Sequence, residues 1–287
     1  MPPDQASTST RRFARIGRYQ ILGTIAKGGM SVVYRASDAS RQAEIALKVM
    51  LPELTTRPNL LERFQREGRL GAKLQHENIV RVYEAGEQFG IHFMALELVQ
   101  GIDLDYYLQQ KVRLSPAEAL QLIGQSARAL GYMHEKKIVH RDIKPANFIL
   151  AQSNGRATMK LIDLGLAREK NDDESRISRA GTTLGTVDYM APEQARDGGL
   201  ADVRSDIYSL GCAWYELLAG RLPFPDGDLA QRIEQHAEVE PPDVRQFNPP
   251  TTVAMVKTLQ RMMAKDPTCR HQTPAELLQD LAACGPS

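Results

Sequence analysis

The sequence has few cysteines, almost no net charge and no long apolar run, and each shortage excludes a class of protein. The three cysteines among 287 residues, Cys212, Cys269 and Cys284, are scattered and odd in number. We therefore expect neither a disulfide framework nor a cysteine metal site. The 36 basic and 35 acidic residues leave a formal charge of +1, which predicts no binding to nucleic acid or to an anionic membrane.

Segments that would cross a membrane are also missing from the sequence. No run approaches the roughly 18 apolar residues of a spanning helix. The first 17 residues are rich in Pro, Ser, Thr and Arg without an apolar centre, so they resemble neither a signal peptide nor an anchor. We predict a disordered leader over residues 1–17. The predicted location is the cytoplasm, for a protein on its own or for the cytoplasmic domain of a membrane-anchored one.

Short apolar runs bounded by turn residues fill the first third of the chain. Their length and β-branched content predict strands at residues 19–25, 32–36, 45–50, 80–85 and 91–98. A helical pattern interrupts them, since apolar residues between Leu60 and Leu74 recur at spacings of three and four. Glu67 lies on this apolar stripe, where a carboxylate needs a cation, and Lys48 on the third strand is the candidate.

The rest of the chain has a helical pattern. Ser115 followed by Pro116 predicts a helix start. Residues 206–218 are apolar on nearly every side and are followed by Gly220, which is typical of a buried central helix. The sequence therefore predicts an α+β protein in which a sheet precedes a mainly helical part.

Three motifs follow one another in this helical part. Residues 140–147 read HRDIKPAN, residues 163–165 read DLG, and residues 191–193 read APE. Asp142 offers a base and Lys144 a cation, while Asn147 and Asp163 offer hard oxygen ligands suited to Mg²⁺. The ordered set resembles the signature of the eukaryotic-like (Hanks-type) protein kinases, with Leu164 where Phe is usual. Among these, the chain is most similar to the bacterial serine/threonine kinases.

The resemblance implies a bilobal protein kinase fold. It predicts an N-lobe over residues 18–99, with an antiparallel five-stranded sheet and one helix, a mainly helical C-lobe over residues 100–282, and a tail over residues 283–287. The implied activity is transfer of the ATP γ-phosphoryl group to Ser or Thr hydroxyls of protein substrates. Autophosphorylation in the activation loop is implied as well, with candidate sites at Ser175, Ser178, Thr182 and Thr183.

The resemblance also assigns roles to residues. Lys48, held by Glu67, reaches the nucleotide phosphates, and Asp142 receives the proton of the acceptor hydroxyl beside Lys144 and Thr186. Asn147 and Asp163 hold Mg²⁺, with Mn²⁺ as the alternative ion. The remaining residues that it places around ATP are Ile25, Ala26, Gly28, Gly29, Val33, Ala46, Leu96, Glu97, Val99, Asp103 and Ile149. It further implies that Glu193 pairs with Arg270 and that Asp206 braces the catalytic loop.

Two departures from the family pattern bear on activity. Ala26 and Ser31 stand where the glycine-rich loop usually has glycine, so their Cβ atoms restrict the approach of backbone to phosphate. Gly68 and Gly71 lie inside the helix that carries Glu67, each costing about 1 kcal/mol relative to Ala. We expect a weak helix that a partner, such as a second copy in a homodimer, holds in place.

Alternatives remain for the individual residues and for the whole chain. Taken singly, Lys48 is explained by a solvated strand end, Asp163 by a turn, and Asn147 by a loop amide. A nucleotide-binding pseudokinase or scaffold with weak activity is the second hypothesis for the chain. A small-molecule kinase is a third, disfavoured by residues 185–186 and 191–193, which build a protein-substrate platform in the kinases that the chain resembles.

Overall fold

The computed structural model describes residues 14–153, 156–164, 168–169 and 187–285. The chain divides into two compact units. Unit 1 contains the described residues up to Gly68 together with Val82–Leu98, and unit 2 contains Arg69–Arg81 together with the described residues from Val99 onward. Unit 1 is built on an antiparallel sheet and unit 2 is mainly helical, so the predicted α+β architecture is confirmed.

The sheet of unit 1 has six strands in the order β1-β2-β3-β4-β6-β5. Their bounds are Arg15–Ile16 (β1), Tyr19–Lys27 (β2), Ser31–Asp38 (β3), Ala43–Met50 (β4), Val82–Gln88 (β5) and Ile91–Glu97 (β6). The sequence predicted five strands. The sixth is β1, which pairs with Tyr19 and Gln20 at the start of β2. Two residues are too short for a period-2 pattern to be recognised.

One helix, α1 (Pro58–Ala72), packs on the sheet of unit 1. Its Phe64 forms a small core with Met50 and Met94. A Cβ atom on Gly68 would lie 2.5 Å from the Cβ of Ala85, so the helix approaches the sheet as closely as only a glycine allows. Gly68 is therefore a packing residue, and it does more than weaken the helix as the sequence suggested.

Unit 2 contains the other described helices. Their bounds are Leu104–Lys111 (α2), Pro116–Glu135 (α3), Pro192–Arg196 (α4), Val203–Ala219 (α5), Leu229–Glu238 (α6), Val253–Met262 (α7) and Pro274–Ala283 (α8). Ser115 caps α3 by accepting from the Glu118 N–H. Helix α5 is buried almost throughout and ends at Gly220, whose φ of 71° is left-handed, so the predicted central helix is confirmed.

Short strands complete unit 2. Gly101–Asp103 (β7), Phe148–Ser153 (β9) and Arg156–Leu161 (β10) form a sheet in the order β10-β9-β7, and Ile138–Val139 (β8) pairs with Arg168–Glu169 (β11). The open edge of β10 is covered by a side chain of α3. Gln125 accepts from the Met159 N–H (2.8 Å) and donates to the Ala157 carbonyl (2.9 Å), as a neighbouring strand would. Asn78 and Val80 bond to the same edge at Leu161, so Gln125 adds protection to an edge that is only partly paired.

Two sequence expectations concern features away from the site. Within the described ranges, no helix is both long and apolar enough to cross a bilayer. The cysteines are free, and Cys212 and Cys284 are buried. Cys269, in contrast, is exposed.

Candidate active site

Lys48 and Glu67 form a close ion pair inside unit 1. Lys48 lies on β4 and Glu67 on α1, and the Nζ and Oε1 atoms are 2.5 Å apart. The two side chains are only 15% and 10% exposed, so little water competes for the contact. The ion pair predicted from an inward-facing carboxylate is confirmed.

The other nucleotide candidates of unit 1 lie on neighbouring strands. Val33 on β3 is opposite both Ala26 on β2 and Lys48 on β4. Between β4 and β6, Ala46 is opposite Leu96. Residues directly opposite in an antiparallel pair share a face of the sheet. Val33 and Lys48 thus share one face, to which Ala46 also belongs because it lies two residues from Lys48.

The turn between β2 and β3 contains the two glycines of the predicted phosphate loop. The Gly28 N–H donates to the Ser31 carbonyl (2.8 Å), which closes the turn. No heavy atom lies within 4 Å of a Cβ built on Gly29. Ser31 is buried at the start of β3, and Ile25 on β2 is half exposed. Glu97 ends β6 opposite Ile45.

Unit 2 brings Asp142, Lys144 and Asn147 together. Lys144 Nζ lies 2.9 Å from Asp142 Oδ2. The Asn147 amide donates to the Asp142 carbonyl (2.7 Å) and to Asp142 Oδ2 (3.0 Å). All three side chains come from the loop after β8 and the 3₁₀ turn Pro145–Asn147. The candidate base is therefore oriented by a cation and an amide at once.

The backbone of this loop is held in an unusual conformation. Arg141 has a φ of 69°, a region that bulky side chains rarely adopt. Asp206 on α5 accepts from the N–H groups of His140 (2.8 Å) and Arg141 (2.7 Å), so the implied bracing of the loop is confirmed. Burial raises the pKa of Asp206, and the two backbone N–H groups act in the opposite direction by binding its ionised form.

Asp163 is attached to the same loop. Its carbonyl accepts from Nε2 of His140 (2.5 Å), and the Ile162 N–H donates to the Asn147 carbonyl (2.9 Å). Asn147 and Asp163 thus flank the hairpin of β9 and β10. The side-chain amide nitrogen of Asn147 binds Asp142. The side-chain oxygen of Asn147 is therefore the atom that can bind a cation.

This donor set fits a divalent metal ion. One carboxylate and one amide oxygen are hard ligands, and Mg²⁺ takes most of its coordination from water and phosphate. Among the residues that the structure describes, no group of three or more His, Cys, Asp or Glu could hold a metal ion on its own.

Val99, Asp103 and Ile149 also belong to unit 2. Asp103 on β7 is opposite Ile149 on β9, and Val99 is half-buried just before β7. Asp103 Oδ1 caps α2 by accepting from the N–H groups of Asp105 (2.8 Å) and Tyr106 (3.1 Å). Burial raises the pKa of Asp103 although these bonds lower it. The candidate ribose ligand thus has a capping role that the sequence analysis missed.

The described segment that begins at residue 187 contacts the catalytic loop, residues 140–147, and the core of unit 2. Arg270 donates to both carboxylate oxygens of Glu193 (2.7 and 2.9 Å), so the implied pair is confirmed. Burial opposes ionisation of Glu193, yet Arg270 keeps its pKa below the usual value. Gln194, which the sequence analysis missed, donates to the Arg141 carbonyl (2.7 Å). Thr186 and the four candidate phosphorylation sites lie outside the described residues.

Comparison with known proteins identifies the family. The family model described as "Protein kinase domain" matches residues 19–281, so the chain belongs to the protein kinase domain family. The curated relatives include the serine/threonine-protein kinases PrkC of Bacillus subtilis (37% identical over 266 residues) and PknB of Mycobacterium tuberculosis (33% over 268 residues). The predicted class, a bacterial-type serine/threonine kinase, is confirmed.

The match covers all of a solved kinase domain but less than half of the curated relatives. The crystal structure of the Mycobacterium tuberculosis PknI kinase domain has a TM-score of 0.72 and 27% identity, covering 98% of this chain and 100% of that one. PrkC and PknB are each matched over 92% of this chain, which spans only 40% and 42% of their lengths. The family as a whole uses ATP, a divalent metal ion and protein substrates.

Proposed function

We propose that the protein transfers the γ-phosphoryl group of ATP to Ser or Thr hydroxyls of other proteins. The single observation that supports this most is the arrangement of Asp142, Lys144 and Asn147, in which Asp142 Oδ2 lies 2.9 Å from a cation and 3.0 Å from an amide nitrogen. Phosphoryl transfer needs positioning and charge stabilisation more than strong basicity. An oriented carboxylate beside a lysine supplies both.

Each residue then has a defined task. Asp142 orients the acceptor hydroxyl and accepts its proton as the bond to phosphorus forms. Lys144 offsets charge on the transferred group, and Lys48, fixed by Glu67, binds the nucleotide phosphates. Asn147 and Asp163 would hold Mg²⁺, which neutralises phosphate charge when bound; Mn²⁺ is the alternative ion. Thr186 is proposed to lie beside Asp142.

The nucleotide base and ribose are assigned in the same way. On unit 1, Ile25, Val33, Ala46 and Leu96 would contact the adenine, and the backbone of Glu97 would bond to it. On unit 2, Val99 and Ile149 are assigned to the base and Asp103 to the ribose. The turn formed by Ala26, Gly28 and Gly29 would cover the phosphates. Asp103 keeps Oδ2 for a ribose hydroxyl while Oδ1 caps α2.

The regulation and location of the protein are further parts of the proposal. Activating autophosphorylation at Thr182 or Thr183 would place a dianion where Arg141 can bind it. Mass spectrometry of active enzyme that finds all four hydroxyls of the segment unmodified would rule this out. The protein is proposed to act in the cytoplasm, alone or as a domain of an anchored protein. A homodimer contact could stabilise α1.

Incubation with labelled ATP and Mg²⁺ tests the function directly. We expect labelling of the protein itself and of an added Ser/Thr-rich acceptor such as casein. Asp142→Asn, which preserves shape but removes the base, should lower the rate by about a hundredfold or more. Labelling that is equal in the wild type and in Asp142→Asn would contradict the proposal. Replacing Mg²⁺ with Mn²⁺ in the same assay identifies the preferred ion.

The alternative from the sequence is a nucleotide-binding scaffold with weak activity, suggested by the Cβ atoms of Ala26 and Ser31 in the phosphate-binding turn. The comparisons do not favour it, since the curated relatives are named as serine/threonine-protein kinases. This alternative predicts measurable ATP binding with little or no transfer to any acceptor. The same labelling assay, combined with equilibrium ATP binding, separates the two functions.

A further inference from the structure

Residues 187–191 form a buried turn just before α4. The Met190 N–H donates to the Val187 carbonyl (3.0 Å), and Val187, Asp188, Tyr189 and Ala191 are buried. In the sequence, this turn follows Thr186 directly. If the protein is a kinase as proposed, the turn belongs to the segment that supports the acceptor chain next to Asp142.

Two hydrogen bonds connect this turn and the helix that follows it, α4, to the centre of unit 2. The Tyr189 hydroxyl donates to Glu216 on α5 (2.5 Å). A few residues further on, Gln194 on α4 donates to the Arg141 carbonyl (2.7 Å), next to the candidate base. A displacement of the turn therefore changes the distance between the acceptor-supporting segment and Asp142.

A third attachment runs from Asp188 to Arg232 on α6. Nη1 of Arg232 donates to Asp188 Oδ1 at 2.6 Å, and the two side chains are 14% and 8% exposed. The same guanidinium donates through Nη2 to the Pro225 carbonyl (2.9 Å) and through Nε to the Gly227 carbonyl (3.2 Å). Arg232 thus joins α6, the loop before it and the turn at residues 187–191.

Stability alone is a weak explanation for this contact. The desolvation of two charges offsets most of the attraction within a buried ion pair, and apolar residues of similar size often stabilise a protein at least as well. A planar guanidinium with donors in three directions does fix geometry, because each acceptor must lie in a defined place. The contact is therefore suited to holding the turn at one position relative to α6.

We propose that Arg232 is a positioning residue for acceptor-protein binding, acting through Asp188 on residues 187–191. The inference rests on the proposed kinase function and adds a residue to it. The residues to which Arg232 donates, Asp188, Pro225 and Gly227, are not among those assigned to ATP or to the catalytic loop. Loss of the ion pair should consequently raise the KM for the acceptor protein and leave the KM for ATP unchanged.

Steady-state kinetics of the full chain test whether the KM for the acceptor protein changes while the KM for ATP does not. We expect Arg232→Met to raise the KM for a protein acceptor by at least about tenfold, with the KM for ATP changed less than about twofold. Asp188→Asn, which keeps an acceptor oxygen for Nη1, should raise the acceptor KM much less. Arg261→Met is the matched control, since Arg261 also binds carboxylates, Glu276 and Asp280, away from the turn.

Hydrogen exchange gives a readout that does not depend on activity. In Arg232→Met the amides of residues 187–191 should exchange about tenfold faster, while Arg261→Met leaves them unchanged. An active wild type with unchanged acceptor KM and unchanged exchange in Arg232→Met would overturn the inference. A wild type that transfers no phosphate overturns the proposed function and the acceptor role with it, and the exchange data then still decide whether Arg232 positions the turn.

Discussion

The Asn147 side-chain amide donates two hydrogen bonds to Asp142, one to its backbone carbonyl (2.7 Å) and one to its Oδ2 atom (3.0 Å). Both bonds use the amide nitrogen, so they determine which end of the Asn147 side chain is turned away from Asp142. The proposed metal ligand and the proposed base consequently orient each other. A change at either residue should affect both functions.

Asn147→Asp tests this relationship. The substitution removes both donated hydrogens and places a second carboxylate next to Asp142, so we expect phosphoryl transfer to fall by about a hundredfold. Initial rates over a Mg²⁺ titration provide the measurement. Asn248→Asp is the control, because the Asn248 amide nitrogen likewise donates two hydrogen bonds, in this case to the carbonyls of Leu114 and Leu218. It should lower the melting temperature but not the kcat of folded enzyme; a similar kcat loss there would contradict the prediction.

Gly68→Ala should destabilise the protein although alanine favours helices. The new methyl group would lie 2.5 Å from the Cβ of Ala85, and overpacking of this kind costs about 1–3 kcal/mol, more than the ~1 kcal/mol gained in helix propensity. Phosphoryl transfer should fall as well, because α1 carries Glu67. Gly124→Ala in α3 has space for its methyl group and should be neutral or stabilising. Urea unfolding of the two variants checks the contrast, and equal effects would show that packing is not the cause.

Gln125→Leu should lower the free energy of unfolding by about 2–4 kcal/mol. The leucine removes the bond to the half-buried Ala157 carbonyl and the two bonds that Gln125 accepts from the Met159 N–H and the Asn78 amide, both buried. Each buried donor left without its partner costs about 1–3 kcal/mol. Gln121→Leu, one turn earlier on the exposed side of α3, is the matched control and should change stability by less than ~0.5 kcal/mol. Urea unfolding checks both. A Gln125→Leu variant as stable as wild type would mean that the edge of β10 finds another partner.

Glu216 should make stability depend on pH. Burial raises its pKa from 4.5 to about 7, with further increases from Asp105 and Asp188 and an opposing effect of the Tyr189 hydrogen bond. The folded state therefore holds a proton that the unfolded state releases. The resulting stabilisation is complete below pH 4.5 and is lost as pH rises through about 7.

Glu216→Gln tests this dependence by removing the titration. One pKa unit corresponds to about 1.4 kcal/mol. The difference in unfolding free energy between Glu216→Gln and wild type should therefore shift in favour of the variant by up to ~3 kcal/mol from pH 5 to pH 8. Urea unfolding at the two pH values measures the gain. Glu234→Gln, on the exposed side of α6, should show less than ~0.5 kcal/mol. A pH-independent difference between Glu216→Gln and wild type would exclude Glu216 as the titrating group.

Periodicity and motif order were enough to predict the parts of the fold that carry the site. The inward position of Glu67 on an apolar stripe predicted its ion pair with Lys48, and the apolar run ending at Gly220 predicted α5. The apolar patterns of the two helices are local signals, because each lies within a single helix. Lys48 lies 19 residues from Glu67, and it could be assigned as the partner because an inward-facing carboxylate needs a cation.

Contacts between distant segments could not be predicted in this way. Arg232 and Asp188 are 44 residues apart in the sequence, and nothing in either local pattern distinguishes them from solvated surface charges. Gln125 looks like any polar residue in a helix until β10 is placed beside it. The two-residue strand β1 is too short to leave a pattern. These features depend on the tertiary arrangement, which a single sequence does not reveal.

The left-handed backbone of Arg141 is maintained only by what surrounds it. Its φ of 69° is unfavourable for an arginine, and the carboxylate of Asp206, on the most buried helix of unit 2, holds it there. The loop cannot keep this shape once α5 moves. Heat inactivation should therefore coincide with the melting of unit 2, without an earlier phase in which the enzyme is folded but inactive.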